Sequence, residues 1–374
     1  GGVLFLPEVL AIDPPLLPPM DKTSITAFWA FVGCLWKARA DVRRARPFRG
    51  IDLFFVLLLL CNVGTALTNQ FPLISGPVVR QGLTLYDSFA LGIKDTLAIY
   101  LPFLVGRAMF TRRKDLRTLL NGFVVAGVVY AFLALIEIRL SPQLHNWIYG
   151  YHQMDFTMTM RFGGYRPMIF METGLAVGMF MLSATIAAIV LHRTDNVKLY
   201  TVIFLAVVLV LIKSTGAIIY ALAVLPVVAL VKRPRARLPA FLALLALLYP
   251  ALRTTDTFPT DTLVAQAEAI NEERALSLWF RFDQEYQLLQ RALEQPLFGW
   301  GGYNRNRHFD PVTGEDLSVT DGDWAIQIGS RGLVGFTAVY GLMTVPVVMT
   351  WRRIKKVKNK KDRQRLAALA LITS

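Results

Sequence analysis

Apolar runs close to the length of a membrane crossing recur through this sequence, at 23–37, 51–68, 86–106, 118–138, 167–191, 197–213, 216–231, 238–252 and 324–351, with the end of one more over 3–12. About 20 apolar residues in a helix cross the ~30 Å of hydrocarbon in a bilayer, and a soluble domain has no use for so many such runs. Composition agrees. Of 374 residues 54% are hydrophobic and 18% are charged, and mean hydropathy is +0.45, whereas a soluble domain is about a quarter charged. Both features argue against a soluble enzyme. The expectation is an all-α, polytopic helical membrane protein with about ten or more transmembrane helices, making one transmembrane domain over 1–374. The chain opens with Gly-Gly and closes on another apolar run, so it reads as an excerpt of a slightly longer protein. Its first apolar stretch lacks a basic head and is broken by prolines, unlike a signal peptide.

Forty Lys+Arg against 26 Asp+Glu give a net charge of +14. In a soluble protein that would suggest nucleic acid. In a membrane protein the sign is read loop by loop, and no nucleic-acid partner is expected. Segments 37–49 (six Lys/Arg), 106–117 (five), 192–198 (two), 232–237 (four) and 352–365 (nine) hold 26 of the 40 basic residues and are expected in the cytoplasm. Alternation of the spans between them requires 197–231 to fold back, because a single helix of that length would measure ~50 Å. Lys213-Ser214-Thr215-Gly216 is the polar punctuation at which it can turn, which puts Lys213 on the outer side. The other outer segments are 69–85, 139–166 and a large periplasmic loop over 253–323, which carries 13 acidic residues and six arginines.

Candidate chemistry is concentrated in these outer loops. Cys34 and Cys61 lie in apolar runs and the four histidines have no paired spacing, so no metal, cofactor or disulfide framework is expected. Residues 275, 279, 282, 286, 289 and 293 form an apolar stripe by fours and threes, predicting an amphipathic helix that ends before Pro296, with Arg274 and Arg281 on one face beside it. Gly299-Trp300-Gly301-Gly302-Tyr303 predicts a close turn. The segment 139–166 adds Arg161 and Arg166 around Gly163-Gly164, with Pro167 opening the next span. Arginines at such positions often merely snorkel to headgroups or cover a lid. Collected together, Arg161, Arg166, Lys213, Arg274 and Arg281 would form an outward-facing cationic pocket suited to a lipid pyrophosphate, since guanidinium forks bind phosphate oxygens in pairs. Asp321 and Asp323, before Trp324, offer either a general base or a favourable charge at a helix N-terminus.

Several of these segments resemble those of the bacterial O-antigen ligase and O-antigen polymerase family. In Arg281 to Gly301 an arginine precedes Pro-Leu-Phe-Gly-Trp-Gly by fifteen residues, Leu211-Ile-Lys-Ser-Thr-Gly-Ala217 is similar to the family's Ser-Arg-Gly turn, and Arg161-Phe-Gly-Gly-Tyr-Arg-Pro167 is similar to its arginine-glycine-proline motif. Gly329-Ser-Arg-Gly-Leu-Val-Gly-Phe336 resembles its closing small-residue motif. The matches run in family order over about half the chain. The resemblance implies a metal-independent, multi-span glycosyltransferase of the GT-C type in the bacterial inner membrane, with its active site facing the periplasm. Its partners would be an undecaprenyl-pyrophosphate-linked oligosaccharide donor, a glycan acceptor, the lipid bilayer and other polysaccharide assembly proteins. Arg161 or Arg166, together with Arg281, would hold the pyrophosphate. Two departures stand out: Thr215 replaces the arginine of the Ser-Arg-Gly turn, with Lys213 as a substitute, and Asp321 or Asp323 stands where many ligases have a histidine. They tilt the expectation toward an exopolysaccharide polymerase and away from a ligase acting on lipid A core. A transporter or flippase of anionic lipid-linked sugars is the competing class, but it needs charges buried along a path, and Lys94-Asp95 is the only adjacent charged pair within a span.

Overall fold

The computed structural model describes the chain except for Leu16, Arg46, Phe162, Asn196, residues 232–236, Ile270, Thr320, Asp321 and the side chains of Arg161, Glu273 and Arg274. The helices in chain order are α1 (Gly2–Phe5), α2 (Lys22–Lys37), α3 (Arg39–Arg44), α4 (Asp52–Thr68), α5 (Leu85–Asp95), α6 (Leu101–Met109), α7 (Arg113–Leu140), α8 (Leu144–Tyr149), α9 (Gly174–Thr194), α10 (Leu199–Leu211), α11 (Thr215–Leu230), α12 (Arg237–Thr254), α13 (Thr260–Glu268), α14 (Glu272–Leu293), α15 (Asp323–Arg353) and α16 (Lys360–Thr373). A π-turn over Thr96–Tyr100 joins α5 to α6. Four short strands make two hairpins, β1 (Leu73–Ser75) with β2 (Val78–Arg80) and β3 (Met160–Arg161) with β4 (Gly164–Tyr165).

Each apolar run read from the sequence contains a helix. Five helical stretches are long and apolar enough to cross a membrane, Leu85–Met109, Arg113–Leu140, Gly174–Thr194, Arg237–Thr254 and Asp323–Lys356, and α4, α10 and α11 are apolar but shorter. Among the described residues this is a predominantly helical, membrane-type chain with fewer full-length spans than the ten or more expected. The run expected to start at 167 becomes helical only at Gly174. The reason is Glu137, buried at the end of α7, which accepts the backbone N–H groups of Met168 and Ile169 at 2.8 Å each and that of Leu144 at 3.1 Å. Those peptides are thereby satisfied outside any helix, and Ile169 adopts a left-handed φ of 54°.

The chain divides into two units, one comprising Gly1–Arg46, Thr96–Ala240 and Val347–Ser374, the other Pro47–Asp95 and Phe241–Pro346. In the first, α9 is the central helix. It is apolar on all sides, packs against α7, α10, α11 and α16, and buries Val177, Met181, Ala184, Ala187 and Leu191. Small residues let the helices approach closely: a Cβ at Gly127 of α7 would lie 2.4 Å from that of Ala184. At one end of this unit Arg365 donates to both oxygens of Asp195 at 2.8 Å, Arg117 lies 3.3 Å from Asp195, and Arg365 and Arg113 pair with Asp362. Three of the basic segments read as lying on one side of the membrane thus meet at one end. Of the segment 352–365, Arg352 and Arg353 end α15 and residues 360–365 begin α16.

In the second unit α14 forms where the apolar stripe predicts it. The packed face, however, is not the whole stripe. Ala275 and Leu289 are buried together with Gln284, Leu288 and Ala292, while Trp279, Tyr286 and Leu293 are exposed. Gln284 is covered because its side chain accepts the N–H of Val319 at 2.8 Å. The helix α15 is broken at Gly332 (φ 61°, ψ −172°), and the glycine-rich turn after α14 fits into the break. Trp300 and Gly301 donate to Gly329 and Ser330 at 2.8 and 2.9 Å, and Leu333 and Val334 donate back to Pro296 and Leu297 at 2.8 and 3.1 Å. Gly299 and Gly332 sit where these backbones cross, each with a positive φ and with the opposite backbone within 2.5 Å of where a Cβ would stand. A polar face of α4 serves the same junction: Cys61 donates to the carbonyl of Arg331, Thr65 to that of Phe298 and Asn69 to that of Gly299.

Candidate functional site

Two of the sequence-predicted cations meet in the first unit. The β3–β4 hairpin, turned by Gly163 (φ 66°), presents Gly164 and leads into Arg166, whose N–H donates to Thr159. After α10 the chain turns sharply at Lys213, in the left-handed region (φ 57°), and α11 starts at Thr215. Arg166 Nη2 then donates to the Ser214 hydroxyl at 3.2 Å. Both cations occupy room left by glycines. A Cβ on Gly164 would lie 2.5 Å from Lys213 Nζ, and one on Gly174 would lie 2.6 Å from Arg166 Nε.

The same place gathers two helix N-termini. Gly174 is the first residue of α9, capped by the Thr173 side chain, and Ser214 precedes α11 without forming a side-chain cap. The two first turns touch, since a Cβ on Gly216 would lie 3.3 Å from Leu175 Cδ1. N-terminal peptide dipoles add partial positive charge and N–H donors to the guanidinium and the ammonium. This is the chemistry of an anion site, and of phosphate above all.

The other expected members are distributed differently. Arg161 is in β3 and Arg274 in α14, with side chains outside those described, and Asp321 also lies outside the described residues. Arg281 is exposed on α14 in the second unit, so of the five-cation pocket only Arg166 and Lys213 are brought together among the described residues. Asp323 opens α15, and its oxygens accept from the Gln327 amide at 3.1 Å and the Tyr340 hydroxyl at 3.2 Å. Beside it stands a carboxylate that the sequence pattern does not single out. Glu285 accepts the Tyr249 hydroxyl at 2.6 Å and lies 3.5 Å from Arg253 Nε, and Gly322 (φ 89°) carries the chain past it and past the buried indole of Trp324. Glu285 is hidden among the polar residues of α14, whose apolar stripe gives no reason to choose it.

Three more arginines of the second unit are equally inconspicuous in the sequence. Arg305 is 2% exposed and donates to the carbonyls of Gln81 and Phe71 at 2.8 and 3.0 Å. Arg291 stacks 3.6 Å above Trp300, pairs with Glu294 and donates to the Arg305 carbonyl, and Arg80 lies 3.2 Å above Phe309. Burial holds the Arg291 and Arg305 guanidinium groups below their ordinary pKa, and the charge of Arg291 lowers Arg305 further. The interleaving of arginine and aromatic residues over 291–309 is the sequence signal that could have marked Arg291 and Arg305; none marks Arg80.

Among the described residues no group of three or more His, Cys, Asp and Glu is placed to hold a metal ion. A cavity of about 380 Å³ lies elsewhere, among Asp41, Arg44, Arg107 and Arg112 of the basic segments. No protein-family model matches the chain, and no curated protein or solved structure matches it.

Proposed function

We propose that the chain is a membrane glycosyltransferase of the O-antigen ligase and polymerase type, which uses an undecaprenyl-pyrophosphate-linked oligosaccharide on the periplasmic side of the bacterial inner membrane to extend a polysaccharide. The observation that carries this reading is the meeting of Arg166 and Lys213 at the N-termini of α9 and α11. Such a site favours a compact, multiply charged anion. A departing pyrophosphate is that kind of group, and enzymes usually gain more rate from stabilising developing charge than from any other single effect. In this reading α2, α4 and the shorter apolar helices complete the membrane domain, and 253–323 faces the periplasm.

The reaction is a displacement. An acceptor hydroxyl attacks the anomeric carbon of the donor sugar, the glycosidic bond to the pyrophosphate breaks, and the hydroxyl proton passes to a carboxylate. Asp321 is assigned that base. Asp323, held by Tyr340 and Gln327, is assigned the orienting role. On the transport alternative, Asp95 of the Lys94-Asp95 pair is held by Arg331 and Asn62.

The test is release of undecaprenyl pyrophosphate by the purified protein from a lipid-linked repeat unit, followed by analysis of the glycan product. Release with chain growth is the expected result. Transfer to a lipid A core would make the protein a ligase, and movement of intact donor across the bilayer without release would refute transferase activity.

A further inference from the structure

We infer that Arg80, Arg291 and Arg305 form a second anion site in the second unit, one that takes a phosphate dianion. Arg305 is buried and Arg80 and Arg291 are half-buried, and together they carry a charge that the described residues do not balance. The guanidinium groups of Arg80 and Arg305 lie within electrostatic reach of that of Arg291, and the only carboxylate paired with any of the three, among the described residues, is Glu294. Two positive charges remain. Gathering like charges where water is largely excluded is costly unless an opposite charge joins them.

The hydrogen bonds point the same way. Arg305 is more than nine-tenths buried, yet its Nε has no hydrogen-bond partner, and the same holds for Arg291 Nε and Arg80 Nη1, all three atoms being out of solvent. Buried donors in native proteins are almost always satisfied, so three unsatisfied ones on three neighbouring cations indicate an acceptor that joins them. The aromatic faces of Trp300 and Phe309 and the carbonyls of Gln81 and Phe71 fix the guanidinium planes in advance. Rigid forks of this kind suit tetrahedral oxyanions.

A phosphate monoester carries the two negative charges that the cluster lacks, whereas a carboxylate would leave one charge uncompensated. The phosphate could arrive as the free anion or on a lipid headgroup. This site does not depend on the glycosyltransferase reading, since it uses none of the residues assigned to the transfer.

The test is thermal unfolding of the purified protein in detergent, titrated with inorganic phosphate or with short-chain phosphatidic acid against chloride at matched ionic strength. A ligand that binds only the folded state raises the unfolding midpoint in a saturable way. We expect that rise with phosphate, and a loss of affinity of about tenfold or more in Arg80→Gln, which removes one charge-assisted contact. Arg307→Gln, which removes a cation already paired with Asp316, should keep the wild-type response. Should Arg80→Gln not fold, Phe309→Leu removes the face on which the guanidinium rests and should weaken phosphate in the same direction. Saturation by phosphatidic acid at lower concentration than phosphate identifies a lipid source, and a response to inorganic phosphate alone identifies the free anion. Equal midpoints in phosphate and chloride, or unchanged phosphate affinity in Arg80→Gln, would overturn the assignment.

Discussion

Arg331 clasps Asp95 with both ends of its fork, Nη2 to Oδ1 at 2.7 Å and Nη1 to Oδ2 at 2.9 Å, and Asn62 adds a third hydrogen bond at 2.8 Å. Both side chains are withdrawn from solvent. Removing one partner of such a pair leaves an uncompensated charge, so Asp95→Ala should cost ~3–5 kcal/mol of stability. The double variant Asp95→Leu with Arg331→Leu should recover a good part of that loss. Denaturation midpoints of wild type, Asp95→Ala and the double variant decide the matter; a double variant no more stable than Asp95→Ala would mean that the pair is not coupled.

Gly332 is where α15 opens to receive the turn over 296–301. A Cβ there would stand 2.3 Å from the Leu297 carbonyl oxygen, at a φ that side chains rarely adopt. Gly332→Ala should sharply reduce the yield of monodisperse protein, since backbone strain of this kind alone costs ~1–3 kcal/mol. Gly302→Ala, which meets nothing within 4 Å, is the control and should behave as wild type.

For transfer activity, Arg166→Ala and Lys213→Ala should each lower turnover by ~30- to 1,000-fold, the effect of losing ~2–4 kcal/mol of leaving-group stabilisation. Arg166→Lys should rescue poorly, because an ammonium lacks the planar fork. Arg281→Ala tests the equivalent role on α14. Asp321→Asn should lower turnover by ~10²- to 10⁴-fold. Asp323→Asn can still accept from Tyr340 and should be far milder. Steady-state rates with a lipid-linked donor check every one of these variants; a dead Asp323→Asn beside an active Asp321→Asn would exchange the two roles.

The carboxyl of Asp195 feels partial burial, which alone would raise its pKa, but hydrogen bonds from Thr194 and Arg365 and the charges of Arg365 and Arg117 hold it below the usual carboxylate range. A depressed folded pKa means that this stabilisation is complete above the unfolded value of ~3.9 and fades as pH falls through the lower folded value. Asp195→Asn should therefore be less stable than wild type at neutral pH, with the gap closing in acid. A gap of constant size across the acid range would show that the carboxylate charge contributes nothing.

Topology is tested by single cysteines placed at Asp261 and Lys358 in a cysteine-free background. The loop charges predict labelling from opposite sides of the membrane. Labelling of both from one side would remove the basis for an outward-facing site.

The helices are legible in the sequence because their apolar runs are long and their ends carry charge or glycine. The packed face of α14 is not. Periodicity shows that Ala275, Trp279, Phe282, Tyr286 and Leu289 lie along one stripe, but only a contact from Val319 makes Gln284 a buried position. Lys213 is readable as a turn because it is the one cation in a continuous apolar stretch. The arginine trio is assembled from β2, from the end of α14 and from the turn after it, and although arginines and aromatics interleave over 291–309, no local pattern reports that Arg80 joins Arg291 and Arg305. Likewise, the late start of α9 is set by Glu137, some thirty residues away in the chain.

The interlocked turn and break also limit how this protein can be recombined. Residues 296–301 and 329–334 each leave peptide groups open that the other closes. A chimera that exchanged the long loop at a boundary between them would separate two halves of one backbone junction. Grafts between related chains should therefore succeed only when the crossover points fall outside 296–334, so that the loop's end and the start of the final long helix are inherited together.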